Sequence, residues 1–488
     1  MPRGPIGSIS ITASNPASAD RGALKPPAPA RKQIPKLRLL PLVASTFFMV
    51  SGGPYGIEDI LGGAGYGLSL LILLLLPLVW VLPTNLMVGE LASILPEEGG
   101  FYVWVRRALG PFWGYQEAWL SLAASIFDMA IYPTLFVLYL GRIAPSLTAG
   151  PRATCWSLSV ILVCCLWNLR GAPLVGHGSV ALAIALLAPF VWLVAAGFGH
   201  GLGHLYSLWR AGAPLGSRLP AHPGAGRPHV AVAILVAMWN YMGWDNASTV
   251  AGEVANPRRT YPLTMLASAL LVTATYVLPL SAIAAAGIPV DRFATGAWTE
   301  AGRLLGGPYL AVAIGVGGMI NGVAMFNALV LSYSRLPTAL ARDGMLPGWI
   351  AARNRYGAPW AAILVGGAAW ALALSFGFER LISMDLILYG SSLILEFVAL
   401  AVLRKREPRR ARPFPSGKGV ASACLLGAGP TALILYAAFA ARGERMAELP
   451  TLVFGGLLAA AGPLLYLCSR PGWKRRVTVF STQPEAQE

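Results

Sequence analysis

Ser51-Gly52-Gly53-Pro54-Tyr55-Gly56 interrupts an apolar segment that is otherwise long enough to cross a membrane. A second interruption, Trp239-Asn240-Tyr241-Met242-Gly243-Trp244-Asp245-Asn246, falls in a similar segment in the second half of the chain. Proline lacks a backbone N–H, and each glycine costs about 1 kcal/mol relative to alanine, so the first stretch cannot sustain an α-helix. Bilayer hydrocarbon offers no hydrogen bonds, so unwound backbone there must line a cavity or a ligand. Two interruptions at matching positions predict a secondary transporter with inverted repeats.

The composition is that of a polytopic membrane protein. Of the 488 residues, 56% are hydrophobic and only 12% are charged, and the mean hydropathy is +0.61. A soluble domain carries about twice that charged fraction. Apolar segments of membrane-spanning length predict an all-α fold with twelve transmembrane helices. They lie at 38–64, 67–95, 111–141, 153–170, 174–198, 229–254, 262–287, 308–334, 359–377, 381–403, 419–440 and 450–469.

The twelve spans divide into two repeats and two further helices. Each repeat has five spans, and an odd number forces the second repeat to insert upside down. A Gly/Pro/His-rich connection separates the repeats, and its glycines make a helix around His200 and His204 doubtful, so no metal site is expected there. The predicted parts are a disordered cytoplasmic tail (1–37), the first repeat (38–198), an extracytoplasmic loop (199–228), the second repeat (229–405), a basic cytoplasmic loop (406–418), helices 11 and 12 (419–470) and a cytoplasmic tail (471–488).

The net charge of +16 reflects membrane topology. Most of the 37 Lys and Arg residues fall in segments assigned to the cytoplasm, which fits the positive-inside rule with both termini cytoplasmic. The bilayer of the plasma or inner membrane is therefore the expected partner, and nucleic acid is not. No HExxH, GxSxG or GxxxxGK[ST] motif occurs, so we expect no enzyme activity, no cofactor and no metal site.

Acidic side chains inside two spans are the strongest indication of chemistry. Steps of three or four residues place each set on one helix face, which must point to the bundle interior or to water. The third span carries Glu117, Ser121, Ser125, Asp128 and Tyr132, and the tenth carries Asp385, Tyr389, Ser392 and Glu396. An acidic residue near the centre of a span disfavours insertion by roughly 2.5–3.5 kcal/mol. With no Lys or Arg at comparable depth, these groups bind a cation, take up a proton, or are neutral acids hydrogen-bonded between helices.

The residues around the two interruptions form the predicted substrate site. Exposed amides after the first break would attract a carboxylate, but Glu58 and Asp59 follow within one turn and either cap those amides or attract a cation. Aromatic side chains at the second break either surround an ammonium group, at about 2 kcal/mol or more, or belong to the interfacial belt. The predicted substrate-binding residues are Gly52, Gly53, Pro54, Tyr55, Gly56, Glu58, Asp59, Asp128, Tyr132, Trp239, Asn240, Tyr241, Trp244 and Asp245; the predicted proton-coupling residues are Glu58, Asp128 and Glu396.

Several motifs resemble those of the amino acid–polyamine–organocation superfamily. They are Gly89-Glu90-Leu91, Gly252-Glu253 with Asn256-Pro257, Ala341-Arg342-Asp343-Gly344 with Leu346-Pro347, and Arg412-Pro413-Phe414. The chain is most similar to the polyamine-uptake branch known from plants, through residues 51–59, 109–114, 128–133, 244–253 and 395–397. The resemblance implies the LeuT-like 5+5 inverted-repeat fold and cation-coupled uptake. One departure is Gly243, which stands where the branch carries an aromatic residue.

The expected function is proton-coupled uptake of a polyamine, such as putrescine or spermidine, or of another organic cation. An amino acid permease for cationic or neutral amino acids is the alternative, and a channel, which would need rings of like residues, is a remote one. Protons are implied by the resemblance, and the residues leave Na+ open as the coupling ion. Near the cytoplasmic face, six residues are expected to form gating ion pairs or to anchor loops: Glu90, Glu97, Glu98, Glu253, Arg342 and Asp343.

Overall fold

The structure, a computed structural model, describes residues 36–210, 230–289, 293–375, 378–446 and 448–473, which belong to one compact unit. Almost all of the ordered secondary structure is helical. Two short strands, β1 (Arg445–Met446) and β2 (Leu449–Pro450), pair antiparallel. The helices are α1 (Leu39–Val50), α2 (Glu58–Leu76), α3 (Leu82–Ile94), α4 (Phe101–Leu109), α5 (Pro111–Ile143), α6 (Pro151–Asn168), α7 (Ala172–Arg210), α8 (Val230–Asn240), α9 (Pro257–Ala285), α10 (Trp298–Tyr333), α11 (Arg335–Arg342), α12 (Trp360–Leu372), α13 (Phe378–Arg406), α14 (Gly419–Ala440) and α15 (Thr451–Trp473).

Eight helical runs among the described residues are long and apolar enough to cross a membrane. They are Glu58–Ile94, Pro111–Ile143, Ala172–Gly203, Pro257–Ala285, Trp298–Arg342, Leu381–Arg406, Gly419–Gly443 and Thr451–Ser469. Apolar side chains cover their outer faces, and on α2 the leucines Leu71, Leu74 and Leu75 are at least half exposed. Such a surface suits lipid and not water. The chain is a multi-pass membrane protein.

The first interruption is seen at residues 51–57, between α1 and α2. Ser51 is extended, with φ −147° and ψ 143°, and ends α1. Gly53 and Gly56 have φ values of +79° and +93°, in the left-handed region that glycine adopts without a steric penalty. The glycines that weaken the helix in the sequence are therefore the residues that turn the chain.

The second interruption is narrower than the sequence predicts. Trp239 and Asn240 are the last residues of α8, and the unwound residues are 241–243. Gly243 has φ +92°, and a Cβ there would lie 2.6 Å from the carbonyl oxygen of Met49. The chain then continues from Trp244 to Glu253 as a 3-10 helix. Runs of this geometry rarely exceed three or four residues and often mark a functional hinge.

Several predicted boundaries need correction. α7 continues to Arg210, so residues 199–210 are helical where a loop was predicted, and residues 211–229 lie outside the described part. α10 begins at Trp298, ten residues early, because Gly307 (φ 72°, ψ −167°) kinks the helix without ending it. Leu37, placed in the disordered tail, is buried and forms a parallel bridge with Val254. α15 continues to Trp473, three residues into the predicted C-terminal tail. Residues 1–35 and 474–488 are outside the described residues.

Candidate substrate site

A small internal cavity lies between the two interruptions, bordered by α5, α10 and α13. Its volume is about 10 Å³, which leaves room for about one water molecule. The lining residues come from both breaks and all three helices: Met49, Val50, Gly52, Tyr55, Asp128, Tyr132, Trp239, Asn240, Met242, Gly243, Asn246, Met325, Tyr333 and Tyr389. The structure is therefore closed around the site, and a solute can enter only if the helices move.

Asp128 supplies the carboxylate of the cavity wall. It lies on α5 and is 4% exposed. Its Oδ1 accepts a hydrogen bond of 2.5 Å from the Tyr132 hydroxyl, and its Oδ2 accepts one of 3.3 Å from the Tyr333 hydroxyl. The Trp239 side chain also donates to it. All of these partners are neutral, so a cation in the cavity would meet a carboxylate that forms no ion pair with any described arginine or lysine.

A second carboxylate, Asp245, lies behind the wall. The Tyr389 hydroxyl donates to Asp245 Oδ1 at 2.5 Å and accepts from the backbone N–H of Gly243 at 3.0 Å. Tyr389 itself lines the cavity. This tyrosine therefore connects the cavity, the unwound backbone and the buried acid.

Side chains satisfy the unwound backbone, as a low-dielectric environment requires. The Tyr276 hydroxyl on α9 contacts both breaks, with Ser51 Oγ at 2.7 Å and the carbonyl oxygen of Asn240 at 2.6 Å. Trp298 Nε1 donates to the carbonyl of Pro54 at 2.8 Å. Trp80 Nε1 donates to the carbonyl of Tyr241 at 3.0 Å. The breaks are held in one defined conformation.

Glu58 and Asp59 act as caps in this conformation. Glu58 Oε2 accepts from the Gly56 N–H at 2.6 Å, while its Oε1 accepts from the Gly296 N–H at 3.0 Å and from the Tyr139 hydroxyl. Asp59 binds the backbone N–H and hydroxyl of Thr295 at 3.0 and 2.8 Å. Neither carboxylate lines the cavity. Of the two alternatives from the sequence, the geometry favours capping for Glu58, whereas Asp59 binds Thr295 and caps no amide of the break.

The predicted aromatic residues separate into two groups. Trp239 lines the cavity and stacks on Tyr132, with ring centroids 6.4 Å apart. Tyr241 and Trp244 are buried behind the wall. The Tyr241 hydroxyl donates to the carbonyl of Leu73 at 2.9 Å, and Trp244 Nε1 donates to the carbonyl of Tyr241 at 2.8 Å. The second pair stabilises the break and does not face the cavity.

The structure thus brings together six of the predicted binding residues. Gly52, Tyr55, Asp128, Tyr132, Trp239 and Asn240 line the cavity, whereas Gly53, Pro54, Gly56, Glu58, Asp59, Tyr241, Trp244 and Asp245 do not. Sequence reasoning missed Tyr333 and Met325, which lie on a span without an acidic stripe. It also missed Tyr276, which lies in the apolar part of α9. Tyr389 stood on the polar face of the tenth span, which was a usable signal.

Three more buried acids occupy α5 and α13 beyond the cavity. Asp385 and Glu396 are 0% exposed, and none of their four carboxyl oxygens has a hydrogen-bond partner among the described residues. Glu117 accepts from the Ser121 hydroxyl at 3.0 Å through one oxygen, and its other oxygen has no partner there. Glu396, the third predicted coupling residue, therefore lies outside the cavity wall.

A layer of ion pairs closes one end of the bundle, which we call the basic face. Glu90 is 0% exposed and binds Arg404 Nη2 at 2.6 Å and Arg412 Nη1 at 2.5 Å. Other pairs there are Glu98 with Arg342 and Arg353, Asp343 with Arg106, Glu253 with Arg335, and Glu407 with Arg107 and Arg410. These pairs join α3, α4, α11 and α13 to the loops between them.

A helical membrane bundle whose two unwound segments enclose a buried, carboxylate-bearing cavity defines a transport protein. The family model described as amino acid permease matches residues 43–456. The chain belongs to this family, which confirms the superfamily identified from its motifs and makes it a transporter and not an enzyme.

Named relatives cover most of the chain. It is 34% identical to Polyamine transporter PUT1 of Oryza sativa subsp. japonica over 92% of this chain and 81% of that protein. It is 30% identical to Polyamine transporter RMV1 of Arabidopsis thaliana, over 97% of this chain and 92% of the relative. Serine/threonine exchanger SteT of Bacillus subtilis is 25% identical over 79% of this chain and 86% of its own length.

Proposed function

We propose that this transporter takes up polyamines, such as putrescine and spermidine, together with protons. The observation that carries the proposal is Asp128, a buried carboxylate in the cavity wall whose partners are neutral hydroxyl and indole groups. A primary ammonium group would replace those donors with a charge-assisted hydrogen bond. The faces of Tyr132 and Trp239 would add cation–π attraction. The names of the two plant relatives point to the same substrate class.

The first interruption supports a substrate without a carboxylate. An α-amino acid would place its carboxylate on the free amides that follow the break. Here the Gly56 N–H already donates to Glu58, and the Gly53 N–H donates to the Ser51 hydroxyl at 3.1 Å. A substrate carboxylate would have to displace Glu58 while standing next to its charge. A diamine meets no such obstacle.

We propose that transport follows alternating access in a LeuT-like 5+5 inverted repeat with twelve spans and cytoplasmic termini, in the plasma or inner membrane. Helices occupy all twelve predicted segments. Four of them, around α1, α6, α8 and α12, fall outside the eight long apolar runs, and two of these four are the interrupted segments. The closed cavity and the ion pairs of the basic face fit a state in which both exits are shut.

We assign proton coupling to Asp128 in preference to Glu58. Asp128 has room to exchange its hydroxyl donors for a proton or an ammonium group, because it borders the cavity. Glu58 is held by Tyr139 and by the backbone N–H groups of Gly56 and Gly296. Competition between a proton and the substrate for Asp128 would link their movements. Na+ is the alternative coupling ion.

A competition panel in proteoliposomes tests the proposal. Purified protein should accumulate labelled putrescine or spermidine when the outside is acidic, and unlabelled polyamines should compete far better than serine or threonine. Collapse of the pH gradient should abolish accumulation, and replacement of Na+ by choline should leave it unchanged. Preferential uptake of serine or threonine would instead support the second candidate, an amino acid permease, which the relationship to SteT favours.

A further inference from the structure

The acids on α5 and α13 form two pairs at two levels of the bundle. Glu117 and Asp128 are eleven residues apart on α5, as are Asp385 and Glu396 on α13. Eleven residues of α-helix span about 16 Å. The two helices pack side by side. Asp385 is close enough to Asp128, beside the cavity, for their charges to repel. Glu396 and Glu117 are related in the same way one level further on.

The level of Glu117 and Glu396 lies toward the basic face. α5 begins at Pro111, directly after α4, so Glu117 is in its second turn. α13 ends at Arg406, whose guanidinium donates to the carbonyl of Ala108 on α4 at 2.7 Å. The start of α5 and the end of α13 therefore meet at the same end of the bundle, and Glu117 and Glu396 stand between that end and the cavity.

Asp245 joins the two levels. The charge of Asp245 would repel that of Asp385 at the level of the cavity. It would also repel those of Glu117 and Glu396 at the second level. Tyr389 is also close enough to interact electrostatically with Glu396, and its hydroxyl donates to Asp245. Among the described residues, no arginine, lysine or histidine forms an ion pair with any of these acids. A buried carboxylate without hydrogen-bond donors or an ionic partner is costly as an anion, so it takes up a proton or binds another cation.

We propose that Glu117 and Glu396 form a second cation site, separate from the cavity, which takes up the coupling proton and passes it between Asp245 and the basic face. Both oxygens of Glu396 and one of Glu117 are buried and have no hydrogen-bond partner in the described part of the chain, so they can accept it. Each step is a proton transfer in which one carboxyl O–H bond breaks and another forms, so no further reactant is needed. The inference rests on the proposed proton-coupled transport, because it supplies the route for that proton.

Loss of this site should affect net transport but not exchange. Net uptake requires the proton to leave the cavity region, whereas exchange of internal for external substrate moves no net proton. We expect Glu117→Gln and Glu396→Gln to reduce uptake driven by a pH gradient at least tenfold and to leave counterflow at equal pH within twofold of wild type. The double variant should lose no more than the single variants, since both residues serve one step. A dye trapped in the vesicles should show that substrate entry no longer acidifies the lumen.

Glu300→Gln is the matched control, because it makes the same chemical change in an exposed ion pair with Arg303. It should match wild type in all three measurements. Unchanged gradient-driven uptake in both glutamine variants would overturn the proposal, and so would a loss of counterflow equal to the loss of net uptake. Counterflow can use whichever solute of the panel the wild type carries. If the protein does not carry polyamines, the proposed substrate is wrong, but this test of the second cation site can still be carried out.

Discussion

The acids of the membrane interior and those of the basic face are partnered in opposite ways. Glu90 binds two arginines, and Glu98 binds two more. The side chains that donate to Asp128 and Asp245 include tyrosine hydroxyls, whereas the acids of the basic face bind arginines. An ion pair satisfies both charges and locks its elements together, whereas a carboxylate held by hydroxyl groups keeps its charge available to a ligand. The first arrangement serves closure, and the second serves binding.

Glu90→Gln should have the largest effect, and on stability. The substitution leaves Arg404 buried without its carboxylate, and breaking one partner of a buried pair costs about 3–5 kcal/mol. We expect a clear drop in the unfolding temperature of the detergent-purified protein. Glu300→Gln, in an exposed pair, should remain within about 1 kcal/mol of wild type. If Glu90→Gln melts like wild type, the ion pair of Glu90 with Arg404 does not hold the basic face closed.

Asp128→Asn should give the opposite phenotype from the same chemical change. The amide can still contact Tyr132 and Tyr333, so thermal stability should be nearly unchanged. Loss of the charge that meets the ammonium group should lower kcat/KM for putrescine about a hundredfold, equivalent to about 3 kcal/mol. Initial uptake rates, normalised to the protein in the vesicles, measure this. Equal kinetics in variant and wild type would exclude Asp128 from the site.

Tyr389→Phe should reduce uptake about tenfold. It removes the hydroxyl that joins Gly243 to Asp245, and one such hydrogen bond contributes about 1 kcal/mol. Tyr66→Phe is the control, because its hydroxyl donates at 2.8 Å to the carbonyl of Ile288, away from the cavity. The control should affect stability without changing KM. Similar KM shifts in both variants would mean that Tyr389 has no special link to the site.

The smallest effect concerns Glu407 on the basic face. Burial raises the pKa of Glu407, but hydrogen bonds and charges from Arg107 and Arg410 outweigh it and lower the pKa below its ordinary value. The stabilisation is present above the unfolded pKa of about 4.3 and disappears as the pH falls through the folded value. Glu407→Gln should therefore melt slightly earlier than wild type at pH 7, by less than about 1 kcal/mol. The difference should shrink once the pH falls below about 4.3, and a gap that stays constant as the pH falls would contradict this.

The sequence predicted the helices and both interruptions because hydropathy and glycine act locally. Three glycines and a proline within residues 52–56 together disfavour a helix through local effects, and the structure turns there. The role of Glu58 could not be decided in the same way. Its capping of Gly56 is local, but its bonds to Gly296 and Tyr139 join residues far apart in the chain.

Contributions from distant helices were the main omission. Tyr333 and Tyr276 reach the site because α10 and α9 pack beside the interruptions, and nothing near them in the sequence distinguishes them from other buried tyrosines. Helix continuation through residues 199–210 was likewise missed, because glycine weakens a helix by only about 1 kcal/mol and packing can exceed that. Local rules identify where a helix breaks, and tertiary packing selects what faces the gap.

The Tyr276 hydroxyl has a mechanical consequence. Its oxygen contacts Ser51 in the first break and the carbonyl of Asn240 at the end of α8, directly before the second break, so neither segment can swing outward alone without losing a contact inside the membrane. The two segments and α9, which connects them, should therefore move together as one rigid body. This body should tilt relative to the remaining helices.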